Sequence, residues 1–368
     1  MTDTLDAPDA LDREKALVLS ALAAKAWCER GEAGAPKGKA LIERLMNAAS
    51  WVSRARRHSG LPAVAIAELV ERFTQPVETW LPAADAPDGA GSLVLVEGGH
   101  PTPNCEDLAD DAGGSPLAEV EQNVIRAAMS HIRGRDDEAA AYTAFRRFLV
   151  EHATAHHADA VGALLPVGLE VAQVYQRVPG TARTRAGKQE VFYPCPRCRW
   201  PMQVRDTSVS CLRSPTCLAA GARFALRDDG LVPLAKLPAP DPASPDEWVA
   251  LHPGVWRFTV LPGLEELDLE QRLGRIEGVE VQLWPFVDAY DLDVRRGSHR
   301  WRIDVKDHSS ASSLARHLND KPVTEQTWIV VPHARREQVP RLQRLVEPDA
   351  GYLFADANEM VRRVKGAE

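Results

Sequence analysis

The sequence contains no apolar run of the roughly 20 residues that a membrane-spanning helix needs. Its first residues, Met1 to Asp6, also lack the basic and apolar regions of a signal peptide. We therefore expect a cytoplasmic protein with no membrane partner. The chain has 368 residues, of which 45% are hydrophobic and 26% charged, so it is large enough for two or three globular domains.

Cysteine is scarce, and four of the six cysteines fall within residues 195–217. Disulfides are not expected in the cytoplasm, where cysteines clustered in this way are far more often metal ligands. Cys28 and Cys105 stand alone, and we interpret both as ordinary thiols.

Positive charge is absent from one segment and concentrated in another. Residues 83–121 contain nine acidic residues and no lysine or arginine, whereas residues 177–227 contain ten basic and two acidic residues. The net charge of −8 hides this segregation. A local excess of positive charge is typical of surfaces that bind phosphate, which makes residues 177–227 a candidate nucleic-acid interface. A solvated surface is the simpler alternative.

Apolar periodicity and proline content divide the chain into four parts. Residues 1–160 have apolar residues at helical spacing and predict a helical scaffold or interaction domain. Residues 161–232 form a basic segment that contains the cysteine cluster. Residues 233–254 contain six prolines and predict a stiff linker that supplies no central strand. Residues 255–368 form the last domain.

The four clustered cysteines follow the pattern C-x2-C, twelve residues, C-x5-C. This spacing allows two loops to bring four thiolates to one zinc ion, with residues 203–209 as the hairpin between them. A site closed by four thiolates is structural, because no position stays open for catalysis. The expected zinc ligands are Cys195, Cys198, Cys211 and Cys217.

The cysteine segment resembles the zinc fingers at the C-terminal end of type IA DNA topoisomerases. The resemblance rests on Cys195-Pro196-x-Cys198, on Pro201-Met202 and on Pro215 two places before Cys217. Arg199-Trp200 replaces the glycine region that is usual after the first pair. The resemblance implies a zinc ribbon that handles single-stranded or distorted DNA. From the residues themselves we expect Trp200 to stack on a base, and a purely structural staple is the alternative. The expected phosphate contacts are Arg197, Arg199, Arg205 and Arg213.

Residues 290–306 predict two short strands around a turn at Gly297 and Ser298. This register pairs Arg296 with His299. Side chains on one face of a strand repeat at every second position, so four polar groups share a face. They are Asp291, Asp293, Asp304 and Lys306. Neighbouring carboxylates suit a divalent metal ion, and a lysine beside them can polarise a water. An ordinary cross-strand ion pair is the alternative.

From residue 263 the predicted order is helix, three strands, helix, strand, helix, strand, helix. This order resembles the restriction-endonuclease-like core, and Asp304-Val305-Lys306 resembles the (D/E)xK half of the PD-(D/E)xK signature. The resemblance implies that Asp291 is the first acid, with Asp293 as the rival. It also implies a glutamate on the preceding helix. Glu266 fits better than Glu270, because Leu269 and Leu273 would turn it towards the hairpin.

The fold class that we predict is a multidomain chain with an α-helical N-terminal region, a central zinc ribbon and a C-terminal α/β restriction-endonuclease-like domain. The predicted function is a DNA endonuclease that uses Mg²⁺ or Mn²⁺. Asp291 and Asp304 would bind the ion, Lys306 would hold or help deprotonate the attacking water, and Glu266 would orient that water or bind a second ion. Arg295 and Arg296, with Arg300 and Arg302, would contact the DNA backbone.

The three-part layout also resembles the nuclease partners encoded beside bacterial Piwi-like genes and helicases. This resemblance rests on the layout and on Trp284-Pro285, Asp288 and Asp291-Leu292. It implies a role in restriction or anti-phage defence, with a helicase and a Piwi-like protein as partners, and it allows a homodimer. The alternative function is a catalytically inactive DNA-binding adaptor of such a complex.

Overall fold

A computed structural model describes residues 8–31, 35–81, 93–110, 116–211, 214–227, 230–308 and 310–367. The chain has a helical N-terminal region, a cysteine cluster in the middle and a sheet-rich C-terminal part. Among the described helices, none combines the length and apolar character needed to span a membrane.

Four helices precede the first described strand, and helices and short strands are interspersed in the remaining described residues. The helices are Pro8–Glu29, Lys39–His58, Ile66–Arg72, Val77–Trp80, Pro103–Asp110, Pro116–Ile132, Glu138–Glu151, His157–Leu164, Val171–Val174, Pro215–Ala220, Pro253–Val255, Leu261–Gly274, Ala311–Asn319, Gln338–Leu345 and Ala357–Gly366. The strands are Val96–Glu97, His100–Pro101, Thr154–His156, Tyr175–Arg177, Arg183–Ala186, Gln189–Phe192, Gln203–Arg205, Ser208–Ser210, Arg223–Arg227, Gly230–Pro233, Trp248–Leu251, Val279–Leu283, Leu292–Arg296, His299–Val305, Thr327–Val331 and Tyr352–Asp356.

The first helices bury a core of their own. Lys39–His58 turns Leu41, Leu45, Ala48 and Val52 inward at the three- and four-residue spacing of a helix face. These side chains belong to a buried cluster whose members lie between Ala16 and Ala109. The predicted helical character of the N-terminal region is therefore confirmed.

The C-terminal part is built on a five-stranded sheet. Its first three strands, 279–283, 292–296 and 299–305, form an antiparallel meander, and strands 327–331 and 352–356 add in parallel. Each predicted helix and strand after residue 263 is present in the predicted order. Alternate residues of the strands face opposite layers: Val330 packs with the cluster that contains Leu269, whereas Ile329 packs in a separate cluster.

A three-stranded antiparallel sheet contradicts the predicted linker. Its strands are residues 154–156, 248–251 and 175–177, with 248–251 in the middle. The prolines Pro245 and Pro253 flank these four residues and do not interrupt them, so the segment can pair on both sides. One buried apolar cluster includes members from Val124 to Val364, so the core also continues across the predicted boundary at residue 160.

Candidate functional site

The hairpin of the C-terminal sheet has the predicted register, with Arg296 opposite His299 and Asp293 opposite Arg302. Gly297 takes the turn with a φ of 56°, which glycine adopts without steric cost. Asp291 lies just before the first strand. Its backbone N–H donates to the carbonyl of Ile303 at 3.1 Å, and its Oδ2 accepts from the backbone N–H of Val305 at 2.6 Å. The hairpin thus fixes Asp291 beside Asp304.

Asp291, Asp304 and Lys306 form an acid cluster at the end of this hairpin. Lys306 Nζ donates to Asp304 Oδ1 at 2.6 Å. Burial, together with the charges of Glu266 and Asp304, raises the pKa of Asp291 well above its usual range. Burial also opposes the ionised form of Asp304, but the charge of Lys306 outweighs it and lowers the pKa of Asp304. The cluster therefore holds close carboxylates that a cation would stabilise.

Glu266 lies in the same buried site, and Glu270 does not. The helix Leu261–Gly274 buries Glu266 together with Leu269 and Leu273, so all three share its inner face. The two carboxylate oxygens of Glu266 accept from Arg146 Nη2 at 2.9 and 3.0 Å, and Oε2 also accepts from Trp284 Nε1 at 2.5 Å. Glu270 instead meets Arg147 at 3.3 Å, near the surface.

Arg146 is a member of the site that the sequence analysis did not select. It lies on the helix Glu138–Glu151, far from the hairpin in the chain, and its side chain is 11% exposed. Arg146 also pairs with Asp288 through Nη1, and its Nη2 lies 3.9 Å from Asp291 Oδ1. Tyr142, one turn earlier, donates to Asp288 Oδ2 at 2.8 Å.

The apolar face of the helix Glu138–Glu151 is the sequence signal that could have pointed to Tyr142 and Arg146. Tyr142, Phe145, Arg146 and Leu149 are all buried on one face of the helix. An arginine on the apolar face of a helix needs a buried anionic partner, because an unpaired buried charge is too costly. That signal says that a partner exists, but it does not say which one.

The segment between the strand Val279–Leu283 and Asp291 contains a left-handed turn. Trp284, Phe286, Val287 and Asp288 have φ values of 44°, 54°, 58° and 69°. Left-handed backbone costs roughly 1–2 kcal/mol for each residue with a Cβ. The bonds of Trp284 to Glu266 and of Asp288 to Arg146 hold this turn in place, and Phe286 is left 73% exposed. Strain of this kind is typical of functional sites.

Asp293, the rival first acid, lies outside the acid cluster. Its carboxylate accepts from Arg300 Nη2 at 2.6 Å, from Tyr290 Oη at 2.6 Å and from Arg295 Nε at 3.2 Å. Burial acts against ionisation, but the hydrogen bonds from Arg300, Tyr290 and Arg295 prevail and lower the pKa of Asp293. The carboxylate is therefore already satisfied by its own arginines.

The four clustered cysteines converge as predicted. The Sγ atoms of Cys195, Cys198, Cys211 and Cys217 all lie within 4.8 Å of one another, and all four residues are buried. Sulfur atoms around a tetrahedral zinc ion are about 3.8 Å apart, given a Zn–S distance of about 2.3 Å. The Cys198 and Cys211 sulfurs are 3.8 Å apart. The cluster is thus suited to a metal ion such as zinc.

Local structure positions these thiols. Cys195 and Cys198 lie on a tight loop in which Cys195 N–H donates to Trp200 O and Arg199 N–H donates to Cys195 O, each at 2.8 Å. The predicted hairpin at residues 203–209 is present. The Oγ of Ser214 accepts from Cys217 N–H at 3.2 Å and caps the short helix Pro215–Ala220.

The residues predicted to bind DNA at the cysteine cluster have different environments. Trp200 is 5% exposed, stacks on Trp256 at 5.0 Å and donates to Leu251 O at 3.1 Å, which contradicts its predicted stacking on a base. Arg197 is engaged inside the protein, because it contacts Glu265 and the sulfur of Cys217, the latter at 3.7 Å. Arg199 is exposed, and the side chain of Arg213 lies outside the described residues. Arg205 is partly buried and contacts Gln203.

Of the four arginines around the hairpin turn, Arg296 and Arg302 are partly buried, whereas Arg295 and Arg300 are exposed. Arg296 donates to the carbonyls of Val364 and Lys365 at 2.9 and 2.6 Å, so it caps the last helix and is not free for a phosphate. Arg302 pairs with Glu325. Arg295 and Arg300 both pair with Asp293, yet 60% and 41% of their side chains stay exposed.

The matches of two segments to family models support a nuclease-like protein of the kind associated with Piwi-like defence islands. Residues 263–367 match the family model described as "REase associating with pPIWI_RE", and residues 32–156 match the one described as "pPIWI_RE three-gene island domain Y". The predicted resemblance to nucleases of Piwi-associated islands is confirmed. No curated protein and no solved structure matches the chain significantly.

Proposed function

We propose that the chain is a metal-dependent DNA endonuclease of the PD-(D/E)xK type that acts in prokaryotic defence. The observation that carries the proposal is the acid cluster: Asp291 and Asp304 lie side by side with Lys306 at the end of a strand hairpin. The match of residues 263–367 to a restriction-endonuclease-associated family supports it.

The acid cluster suits a hard divalent cation. Asp291 and Asp304 offer carboxylate oxygens, which Mg²⁺ and Mn²⁺ prefer. The pKa of Asp291 is raised by burial and by its acidic neighbours, so its ionised form lacks a sufficient counter-charge of its own. We infer that these two residues hold the ion. A bound ion would lower the pKa of a water and neutralise charge on the scissile phosphate.

Lys306 acts as a hydrogen-bond donor in this scheme. Burial opposes its charge, but Asp304 and Asp291 outweigh burial and raise the pKa of Lys306, which keeps the ammonium protonated. A protonated lysine that is fixed on Asp304 can hold the attacking water or a phosphate oxygen. Glu266 contributes by fixing Arg146 and Trp284 around the site.

The cysteine cluster serves as a support for the acid cluster. Its four thiolates would hold a structural zinc ion. Arg197 joins the sulfur of Cys217 to Glu265, the residue next to Glu266. We infer that zinc fixes one side of the helix Leu261–Gly274, and with it the position of Glu266.

DNA contact in this proposal comes from the exposed basic residues. Arg199, Arg295 and Arg300 keep exposed guanidinium groups, and such groups bind phosphates in a salt-dependent manner. The strand hairpin that contains Arg183 and Arg185 adds further positive charge. A Piwi-like protein is a proposed partner, because both matching families are described by their association with pPIWI_RE. A helicase stays a prediction from the layout of the chain.

The test is cleavage of supercoiled plasmid in the presence of Mg²⁺ or Mn²⁺. We expect Asp304→Asn and Lys306→Met to reduce nicking by about 10³-fold, because each removes a group that acts at the reacting atoms. Glu270→Gln is the matched control, since Glu270 lies on the Glu266 helix but outside the cluster. Equal nicking by wild type and both site variants rules out the assignment. Binding without cleavage favours the adaptor alternative.

A further inference from the structure

We propose that Arg146 is a built-in cation that restricts the acid cluster to one divalent metal ion. This inference rests on the proposed function, because it specifies the metal content of the same site. Arg146 is a positioning residue here, because it acts through the acidic side chains that it contacts.

The geometry places one guanidinium among three carboxylates. Nη2 of Arg146 bonds both oxygens of Glu266 at 2.9 and 3.0 Å and lies 3.9 Å from Asp291 Oδ1. Nη1 pairs with Asp288. The ring of Trp284 lies 4.9 Å from the guanidinium carbon. Arg146 therefore occupies the space between Glu266 and Asp291 that a second ion would need in order to bridge them.

A count of the formal charges also indicates one divalent ion. Four carboxylates, those of Glu266, Asp288, Asp291 and Asp304, lie within ion-pair distance of the two fixed cations Arg146 and Lys306. The formal excess of two negative charges is what one divalent ion neutralises. Without Arg146 the excess would be three, and Glu266 and Asp288 would lose the cation that they share.

The guanidinium of Arg146 differs from a bound metal ion, because it is part of the chain and does not dissociate. Arginine stays charged at all accessible pH values and binds a carboxylate through a planar fork. Arg146 belongs to the segment that matches the domain Y family, whereas Glu266 and Asp291 belong to the segment that matches the nuclease-associated family. The first segment thus completes the site of the second.

The test counts Mn²⁺ ions bound to the zinc-loaded protein without DNA, by electron paramagnetic resonance of free Mn²⁺ and by calorimetry. We expect about one ion for wild type and about two for Arg146→Met, since a second ion can then bridge the freed acids. The double variant Arg146→Met/Glu266→Gln restores the formal charge balance and should return to about one ion. Arg147→Met, on the same helix, is the matched control and should behave as wild type.

Each outcome decides the inference. Two ions in wild type overturn it without any variant. One ion in a folded Arg146→Met protein, checked by circular dichroism and zinc content, also overturns it. If Arg146→Met does not fold, Arg146→Lys and the double variant are measured in its place. Both keep the formal charge balance of wild type, so a second ion in either one contradicts the inference. One bound ion without plasmid cleavage removes the proposed reaction alone, whereas no bound ion in wild type removes the proposed metal centre as well.

Discussion

The cysteine cluster and the acid cluster are both buried polar sites, but they are assembled in different ways. All four cysteines come from residues 195–217, and two local turns bring them together. The site around the acid cluster takes Arg146 from one helix, Glu266 from another and the acid cluster itself from the hairpin. A local site can be identified from spacing, whereas an assembled site depends on how distant segments pack.

The first prediction concerns the local site and has the largest expected effect. Cys198→Ser should abolish binding of zinc and lower the free energy of unfolding by about 3 kcal/mol or more, because zinc binding supplies about 10–16 kcal/mol in small zinc peptides. Metal analysis and thermal unfolding provide the measurements. Cys28→Ser is the control, as Cys28 lies outside the cluster. A Cys198→Ser protein with full zinc content and an unchanged melting temperature would refute the assignment.

The second prediction concerns the packing that assembles the acid cluster. A methyl group on Gly263 would clash with the side chain of Val150, which lies on the helix of Arg146. Gly263→Ala should therefore separate the two helices and cost about 1–3 kcal/mol of stability. It should also weaken binding of Mn²⁺, which calorimetry can measure.

Gly274→Ala provides the control for Gly263→Ala, since it changes the same residue type on the same helix with no atom within 4 Å of the new methyl group. Alanine there should be neutral or stabilising by up to about 1 kcal/mol. Equal stability and equal Mn²⁺ affinity in the two variants would show that helix packing does not hold the site together.

The third prediction has the smallest effect and tests the cap of the last helix, Ala357–Gly366, which follows the last strand of the sheet. Asp356 caps the last helix through the N–H groups of Asn358 and Glu359 at 2.8 and 3.3 Å. Asp356→Ala should cost about 1 kcal/mol near neutral pH. Urea unfolding measures this loss, and Asp349→Ala, an exposed change, is the control.

The effect of Asp356→Ala should depend on pH in one direction. Burial opposes ionisation, but the bonds from His333 and the helix N-terminus outweigh it and lower the pKa of Asp356. A lowered pKa in the folded state gives stability that is present above the usual aspartate value of about 3.9 and lost as the pH falls through the folded value. The difference between wild type and variant should therefore shrink below about pH 4. A difference that grows on acidification would contradict this cap.

The C-terminal half shows which structural features strand periodicity can predict from the sequence. The strand alternation and the Gly297 turn predicted a register that the structure confirms, with Arg296 opposite His299. That register depends on neighbouring residues alone. Trp200 and Arg296 show the limit: their residue types suggested nucleic-acid contact, but the structure packs Trp200 against Trp256 and uses Arg296 to cap a helix. Exposure of a side chain is a tertiary property.

The sequence by itself determined the spacing of the cysteines, the order of helices and strands after residue 263, and the hairpin that brings Asp291 to Asp304. These features follow from turns, periodicity and short loops. Only the tertiary structure decided that residues 248–251 form a central strand and that Arg146 lies between Glu266 and Asp291. The reason is physical: a buried charge requires a partner, and the identity of that partner depends on which distant helices pack against each other.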